Sequence, residues 1–309
     1  VKTVDNRVCV AATNLNIAIT HYIGSKVKEE GSITVPAKLL QEFVSSLPSG
    51  VIDFEVEDTK IHITTPSYNS TINGSPTEDY PVMPKIENGV SWTITSTKLK
   101  KALQQVVVAA SSDDTRPVLT GVYFYTLNGS LYVVATDSYR LAERRVIPLK
   151  QEVSLLIPAS AVADLLRIIG DKDQTVSITH DDQQVLFEIE DIELVTRLID
   201  GKYPPYRSLI PDKFETMAHI SRDKLANITK VSSLFARESA GSVTLNADED
   251  KKQISIQSVA SQLGENTATA EAEVDGSGSI TLNSRYITDA LNVVDDKQVS
   301  ICFNGRVEP

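Results

Sequence analysis

Hydrophobic and polar positions along the chain follow two different periods. Runs of β-branched and alternating apolar residues predict strands, the clearest of them at residues 8–12, 131–135 and 254–257. Apolar residues spaced three and four apart predict amphipathic helices within residues 39–47, 99–110 and 225–235. This pattern predicts the α+β class, in which helices line one face and antiparallel sheets form the other.

A strand that runs into a polar turn recurs at a fixed spacing. Thr13-Asn14 and Thr136-Asp137 end two such strands 123 residues apart, and a third strand begins near Ile254. Pro36 and Pro158 likewise precede matching helical segments. A period of this length is too long for a solenoid, so each copy should have its own core. We therefore predict three tandem domains, at residues 1–90, 91–213 and 214–309.

The first and third copies are shorter than the second. The second copy opens with a helix and a hairpin that the first lacks, and it extends further than the third. We therefore expect the chain to be truncated at both ends relative to three complete copies.

The net charge of −11 argues against a protein that simply coats nucleic acid. Basic residues are nevertheless concentrated on the predicted helices that open copies two and three, and one more lies in a second helix. These residues are Lys98, Lys100, Lys101, Arg167, Arg222, Lys224 and Lys230. They could be an ordinary solvated helix face. If the repeats place their helices side by side, the charges instead form a positive stripe that attracts phosphates.

The sequence offers no convincing catalytic constellation. Its four histidines are scattered without metal-ligand spacing, and no glycine-rich phosphate loop occurs. We expect no enzyme activity, no cofactor and no metal. The two cysteines are far apart and suit buried reduced thiols. No apolar run approaches the roughly 20 residues of a membrane span, and no signal-peptide pattern is seen, so we expect a cytoplasmic location.

Several stretches resemble one family. They are Val134-Ala-Thr-Asp-Ser-Tyr-Arg-Leu-Ala, Asp114-Thr-Arg-Pro-Val-Leu-Thr-Gly-Val, Ile199-Asp-Gly-Lys-Tyr-Pro-Pro-Tyr-Arg-Ser-Leu-Ile-Pro and Leu282-Asn-Ser-Arg-Tyr-Ile-Thr-Asp-Ala-Leu. In order and spacing they resemble the bacterial DNA sliding clamp, the β subunit of the DNA polymerase III holoenzyme. The resemblance implies three DNA-clamp domains in a head-to-tail homodimeric ring around duplex DNA. Such a ring is a non-catalytic processivity factor that slides without reading bases.

The resemblance also implies a cleft, between domains two and three, that binds short motifs of the polymerase, the clamp loader and repair proteins. Carried over by position, the cleft residues are Leu119, Thr136, Ser138, Tyr139, Arg140, Leu141, Pro204, Ser208, Leu209, Asn283, Tyr286 and Val307. Arg116 joins the seven basic helix residues named above as a predicted DNA-facing position. The family usually has Gly-His where this chain has Ser138-Tyr139, and often Arg at the position of Ser208.

Two other classes of protein are alternatives to the clamp. A secreted or surface β-rich repeat adhesin would suit the acidity and the Asn-x-Ser/Thr triplets, which begin at Asn69, Asn73, Asn128 and Asn227. It predicts an export signal and no basic helix opening each repeat. A hydrolase predicts clustered His, Asp or Ser side chains in one cleft. The basic helices and the scattered histidines favour the clamp.

Overall fold

The computed structural model describes residues 1–81, 85–260 and 264–305, and helices and antiparallel strands alternate along this part of the chain. The five α-helices within it are α1 (Ala37–Ser46), α2 (Ser96–Val107), α3 (Ala159–Ile168), α4 (Arg222–Phe235) and α5 (Ser284–Val293). Pro36 and Pro158 occupy the N-cap positions of α1 and α3, where a missing N–H costs no helix hydrogen bond. Asn283 caps α5, since its side chain accepts from the backbone N–H of Arg285.

The strands fall into three successive groups. Before α2 lie β1 (Lys2–Val4), β2 (Arg7–Thr13), β3 (Ile17–Gly24), β4 (Asp53–Glu57), β5 (Lys60–Thr64), β6 (Asn69–Asn73) and β7 (Val90–Thr95). Between α2 and the end of the second repeat lie β8 (Gly121–Leu127), β9 (Ser130–Thr136), β10 (Leu141–Pro148), β11 (Ser154–Pro158), β12 (Thr175–His180), β13 (Gln184–Ile189) and β14 (Ile192–Arg197). The rest are β15 (Thr216–Ser221), β16 (Ser242–Asp248), β17 (Gln253–Ala260), β18 (Gly264–Glu271), β19 (Glu273–Asp275), β20 (Gly278–Asn283) and β21 (Gln298–Phe303).

One compact unit contains most of the first two repeats: Val1–Leu103, Ser111–Val134 and Glu143–Gly201. Its largest sheet has seven strands in the order β1-β2-β3-β14-β13-β12-β7. β3 pairs antiparallel with β14, so that Ile19 lies opposite Leu194. Strands of the first and second repeats therefore share one continuous sheet.

Two helices of this unit, α1 and α3, pack against its strands and buried apolar side chains. α3 lies against β8, β11 and β14, and the buried residues of these elements include Leu165, Phe124 and Leu194. The first repeat has a smaller core of its own, formed by Ile33, Ile61, Ile63 and Ile72, with Leu40 and Phe43 of α1 packed against it. No residue of α1 is fully buried. Most of the buried apolar side chains of this unit belong to the second repeat.

The second compact unit contains Gln104–Ala110, Ala135–Ala142 and Lys202–Pro309. α4 and α5 pack against each other, and α4 also covers β15, β17 and β18. The core includes Leu225 and Leu291 from the helices and Leu245, Ile254 and Ile256 from the sheet β18-β17-β16-β20. A three-stranded sheet, β19-β15-β21, contributes Ala218 and Phe303 to the same core.

The predicted α+β class, with amphipathic helices against antiparallel sheets, is confirmed. Cys9 is buried, Cys302 is half-buried, and neither forms a disulfide. Within the described part of the chain, no helix is both long enough and apolar enough to cross a membrane.

Truncation of a buried aromatic side chain tests the core of the first unit. Phe187→Ala should lower the free energy of unfolding by about 3–5 kcal/mol, because the ring is buried in β13 and its removal leaves a cavity. The matched control is Tyr139→Ala, since the Tyr139 side chain is 79% exposed. Urea denaturation followed by circular dichroism measures both changes. Equal stabilities of the two variants would contradict the core assignment.

Candidate functional site

The loop at residues 136–140 is held by hydrogen bonds from two side chains. Thr136 Oγ1 donates to the carbonyl of Arg140 at 2.7 Å and accepts from Ser138 N at 3.2 Å. Asp137 Oδ1 accepts from the backbone N–H groups of Tyr139 and Arg140, both at 2.9 Å. A backbone bond from Asp137 N to the carbonyl of Arg140 closes the turn. Short polar side chains thus satisfy the loop backbone, as is typical of Asx and Ser/Thr turns.

The loop at residues 13–17 is a copy of this geometry in the first repeat. Thr13 Oγ1 donates to the carbonyl of Ile17 and accepts from Leu15 N. Asn14 Oδ1 accepts from the N–H groups of Asn16 and Ile17, and Asn14 N donates to the carbonyl of Ile17. The five bonds correspond one by one to those of the 136–140 loop, at the spacing of 123 residues that the sequence shows.

The third residue of each loop adopts the same uncommon backbone conformation. Leu15 has φ of 74° and Ser138 has φ of 77°, in the left-handed region that favours glycine. Glycine adopts this conformation at less cost than any other residue. Ser138 occupies it in this chain at a conformational cost.

Arg140 leaves the loop and enters a charged cluster with α5. Its Nη1 donates to Asp289 Oδ2 at 2.5 Å, its Nε donates to Asp137 Oδ2 at 3.2 Å, and its Cζ lies 4.6 Å from the centre of the Tyr286 ring. Burial alone would lower the pKa of Arg140, but the hydrogen bonds and charges of Asp289 and Asp137 raise it overall. The guanidinium therefore stays protonated and donates hydrogen bonds to two carboxylates.

Apolar side chains beyond the loop remain exposed. Tyr139 and Leu209 are 79% and 60% exposed, and neighbouring Ile210 is 45% exposed. Tyr203 and Tyr206, earlier in the same segment as Leu209, are buried and meet edge to face, with ring centres 6.3 Å apart. Burial raises the pKa of the Tyr203 hydroxyl, which stays neutral. Exposed apolar residues in a segment with buried aromatic rings suit the binding of an extended peptide.

The second unit contains ten of the predicted cleft residues: Thr136, Ser138, Tyr139, Arg140, Leu141, Pro204, Ser208, Leu209, Asn283 and Tyr286. Direct contact is shown within the loop and between Arg140 and Tyr286. Asn283 has a structural task, since its Nδ2 donates to the carbonyl of Ala240 while its Oδ1 caps α5. Leu119 is buried in the first unit, in a short 3-10 helix, and Val307 lies outside the described residues.

The predicted DNA-facing residues differ in their surroundings. Four of them form ion pairs with nearby carboxylates: Lys100–Asp171, Arg167–Asp164, Arg222–Asp223 and Lys224–Glu271. Lys98 and Lys230 are exposed, and no carboxylate of the described residues lies within ion-pair distance of either. Lys101 lies on α2, and Arg116 lies in the loop before the 3-10 helix. The helices thus carry both free and neutralised cations.

Asp137 and Asp289 also belong to the site, although the sequence did not predict them there. Asp289 is three residues after Tyr286 on α5, so helical spacing places both on one face. That spacing could have suggested a shared role. Its partner Arg140 is 149 residues away in sequence, and local patterns do not reveal such a contact.

Tandem α+β repeats joined through a shared sheet, with cationic helices, define a protein of the DNA-clamp fold. Across the described residues, no group of three or more His, Cys, Asp or Glu side chains is placed to hold a metal ion. Family models of the DNA polymerase III beta subunit match the chain in three parts. The N-terminal domain matches residues 1–84, the central domain 93–205 and the C-terminal domain 207–309.

Relatives and solved structures agree with these matches. A beta sliding clamp of Halalkalibacterium halodurans is 31% identical over 92% of this chain and 77% of its own length. A beta sliding clamp of Bacillus subtilis is 29% identical over 99% of this chain and 84% of its own. The crystal structure of a DNA polymerase sliding clamp from Bacillus subtilis superposes with a TM-score of 0.92 at 28% identity, covering 99% of this chain and 84% of that one. The chain belongs to the bacterial beta sliding clamp family, the beta subunits of DNA polymerase III.

The resemblance found in the sequence is therefore confirmed, and the adhesin alternative is not supported. The individual cleft and DNA-facing residues stay predictions.

Glycine substitution tests the strained loop position. Ser138→Gly should raise the free energy of unfolding by about 0.5–1 kcal/mol, because glycine adopts a φ near 77° without a Cβ clash. Leu15→Gly is the matched variant in the other loop and should gain a similar amount. Ser138→Val should instead lose about 1–2 kcal/mol, since a β-branched residue tolerates this region poorly. Chemical denaturation gives the three values, and a loss for both glycine variants would show that neither loop is strained.

Proposed function

We propose that this chain is a DNA polymerase processivity factor. Two copies form a ring that encircles duplex DNA, slides without sequence specificity and tethers DNA polymerase III and other replication and repair proteins. The observation that carries this proposal is membership of the beta sliding clamp family across all three repeats. The protein performs no catalysis of its own, because the family acts by tethering.

The cationic helix faces support the DNA contact. Lys98 on α2 and Lys230 on α4 are exposed, and both belong to helices that open a repeat. Contacts to phosphate oxygens supply affinity but no sequence information, so a protein that uses them alone is able to slide. The remaining acidity of the chain, with a net charge of −11, disfavours DNA on other surfaces. We assign Lys98, Lys100, Lys101, Arg116, Arg167, Arg222, Lys224 and Lys230 to the DNA-facing set.

Exposed strand edges and apolar side chains support assembly into a ring. β18 is the end strand of its sheet, and Val259 on neighbouring β17 is 65% exposed. Val231 and Leu234, one helical turn apart on α4, are also exposed. β4 and β6 are the end strands of the small sheet in the first repeat. A head-to-tail contact that pairs such edges removes them from water and closes a ring when its rotation allows.

The loop at 136–140 and its surroundings support partner docking. Tyr139, Leu141 and Leu209 offer apolar surface, and Arg140 with Tyr286 forms a fixed wall. An extended motif that buries apolar side chains in such a site gains affinity from a few anchors. The polymerase, the clamp loader and other motif-bearing proteins are the proposed partners. No membrane partner is proposed.

The proposed domains comprise residues 1–90, 91–213 and 214–309, limits that follow the spacing of the repeats. A cytoplasmic location follows from the proposed role in replication.

Charge reversal tests the DNA contact. The double variant Lys98→Glu with Lys230→Glu should be lost faster from nicked circular DNA onto which it has been loaded. The logarithm of its binding constant for duplex DNA should fall less steeply with the logarithm of salt concentration, by roughly 0.9 per phosphate contact removed. Gel filtration of the loaded complex at several salt concentrations measures retention.

Lys150→Glu is the control, because Lys150 is exposed in the loop after β10 and lies on no helix. It should behave as the unmodified protein does. If the double variant is retained as well as this control at every salt concentration, the helices do not face DNA.

Alanine substitutions test the cleft. Tyr139→Ala combined with Leu141→Ala should weaken the binding of a synthetic polymerase-tail peptide at least tenfold, because two apolar anchors are removed. Isothermal calorimetry measures the affinity, and circular dichroism confirms folding. Leu15→Ala with Asn16→Ala, in the corresponding loop of the first repeat, is the control and should bind normally. Unchanged affinity in the Tyr139/Leu141 variant would remove both residues from the cleft.

A further inference from the structure

The cluster around Arg140 is half-buried and closely connected. The side chains of Arg140, Asp137 and Asp289 are 20%, 17% and 28% exposed. Asp137 and Asp289 each accept one hydrogen bond from the guanidinium, and the flat face of Tyr286 lies against it. A charged group in such surroundings loses much of its hydration, so its protein partners determine where it lies.

The loop does not need this cluster to fold. The copy at 13–17 makes the same five hydrogen bonds and reaches the same left-handed conformation with Ile17 in the place of Arg140. Asn14 in that copy has no second carboxylate oxygen to offer an arginine. A threonine followed by Asn or Asp therefore forms the turn in both copies. The Arg140–Asp289 contact occurs only in the copy of the second repeat.

The contacts of Arg140 also determine what it is able to bind. Its charge is shared by two carboxylates, and its face is covered by an aromatic ring. Arg285 lies 3.9 Å from Asp289 but is 82% exposed, so it competes weakly for that carboxylate. Because two carboxylates surround one guanidinium, the three groups together carry an excess of one negative charge, and Arg140 is not a free receptor for an acidic side chain. It serves as a wall next to Tyr286 that offers no net positive charge.

We propose that Asp289 is a positioning and specificity-determining residue of the motif-binding cleft. Together with Asp137 it fixes Arg140 against Tyr286 and outweighs its positive charge, so the cleft prefers a peptide with an uncharged side chain at this wall over one with a carboxylate. The inference rests on the proposed docking function. It adds a residue that touches the partner only through Arg140 and names the chemistry that this residue selects.

The test uses Asp289→Asn, which keeps the shape of the side chain and removes its charge. The probes are a capped hexapeptide of leucine, phenylalanine and glutamine and a set of variants carrying one glutamate at each position in turn. Calorimetry on the full chain gives each affinity. We expect the unmodified protein to bind one glutamate peptide at least fivefold more weakly than the neutral parent. Asp289→Asn should shift that ratio at least tenfold towards the glutamate peptide, because one of the two negative charges beside Arg140 is removed while its own positive charge remains.

Asp164→Asn is the matched control. Asp164 forms a similar ion pair with an arginine three residues along a helix, at 2.7 Å, and its side chain is 30% exposed. It lies on α3 in the other unit, so the ratio should not move. Arg140→Met is a second variant, which removes the other member of the Arg140–Asp289 ion pair. In its background, Asp289→Asn should no longer change the ratio, which a merely structural role of Asp289 would not predict.

The outcomes separate this inference from the proposed function. If the unmodified protein binds the neutral peptide and Asp289→Asn leaves the ratio within twofold, the specificity role is wrong and the cleft stands. If Asp289→Asn changes the ratio equally with and without Arg140, the effect does not pass through Arg140 and the inference fails. If the unmodified protein binds none of the peptides, the docking cleft itself is wrong and the inference fails with it.

Discussion

The pairing of β3 with β14 is the interaction on which the first unit depends. Each strand would otherwise present a row of unpaired backbone groups, and their mutual hydrogen bonds remove both edges. The register also fixes which side chains face the core, since a slip of one residue would turn buried Leu194 to the other face. An ion pair between Arg7 and Asp191, at 2.8 Å, extends the junction beyond the backbone. The small core of the first repeat therefore does not have to support itself.

The two copies of the loop show which residues form the turn and which residues belong to the binding site. In both copies a threonine and an Asx residue satisfy the backbone, and the third residue has a positive φ. The remaining positions are free to vary without loss of the turn. The first copy uses Asn16 and Ile17 there, whereas the second uses a tyrosine and an arginine that reaches α5. The same folded turn therefore accommodates either set of side chains.

Much of this architecture could be predicted from the sequence, because its causes are periodic. The apolar spacing in residues 99–110 and 225–235 predicts α2 and α4, and the recurrence of Thr13 and Thr136 predicts the matching loops. The Arg140–Asp289 contact could not be predicted from those patterns, since it joins residues that only the tertiary fold brings together. The same limit applies to the helix cations. Periodicity predicts that Lys100 lies on a helix, but it does not reveal that Asp171 neutralises it.

The ion pairs on the helices are compatible with binding to DNA. Arg167 and Lys224 are 78% and 52% exposed, and exposed pairs of this kind contribute only about 0–1 kcal/mol. If these cations face DNA as proposed, a phosphate oxygen is able to replace such a carboxylate at small cost. Once that phosphate moved away, the carboxylate would return and would keep the cation from holding one phosphate tightly. Contacts that exchange this readily give a shallow energy profile along the duplex, which is what a clamp that slides requires.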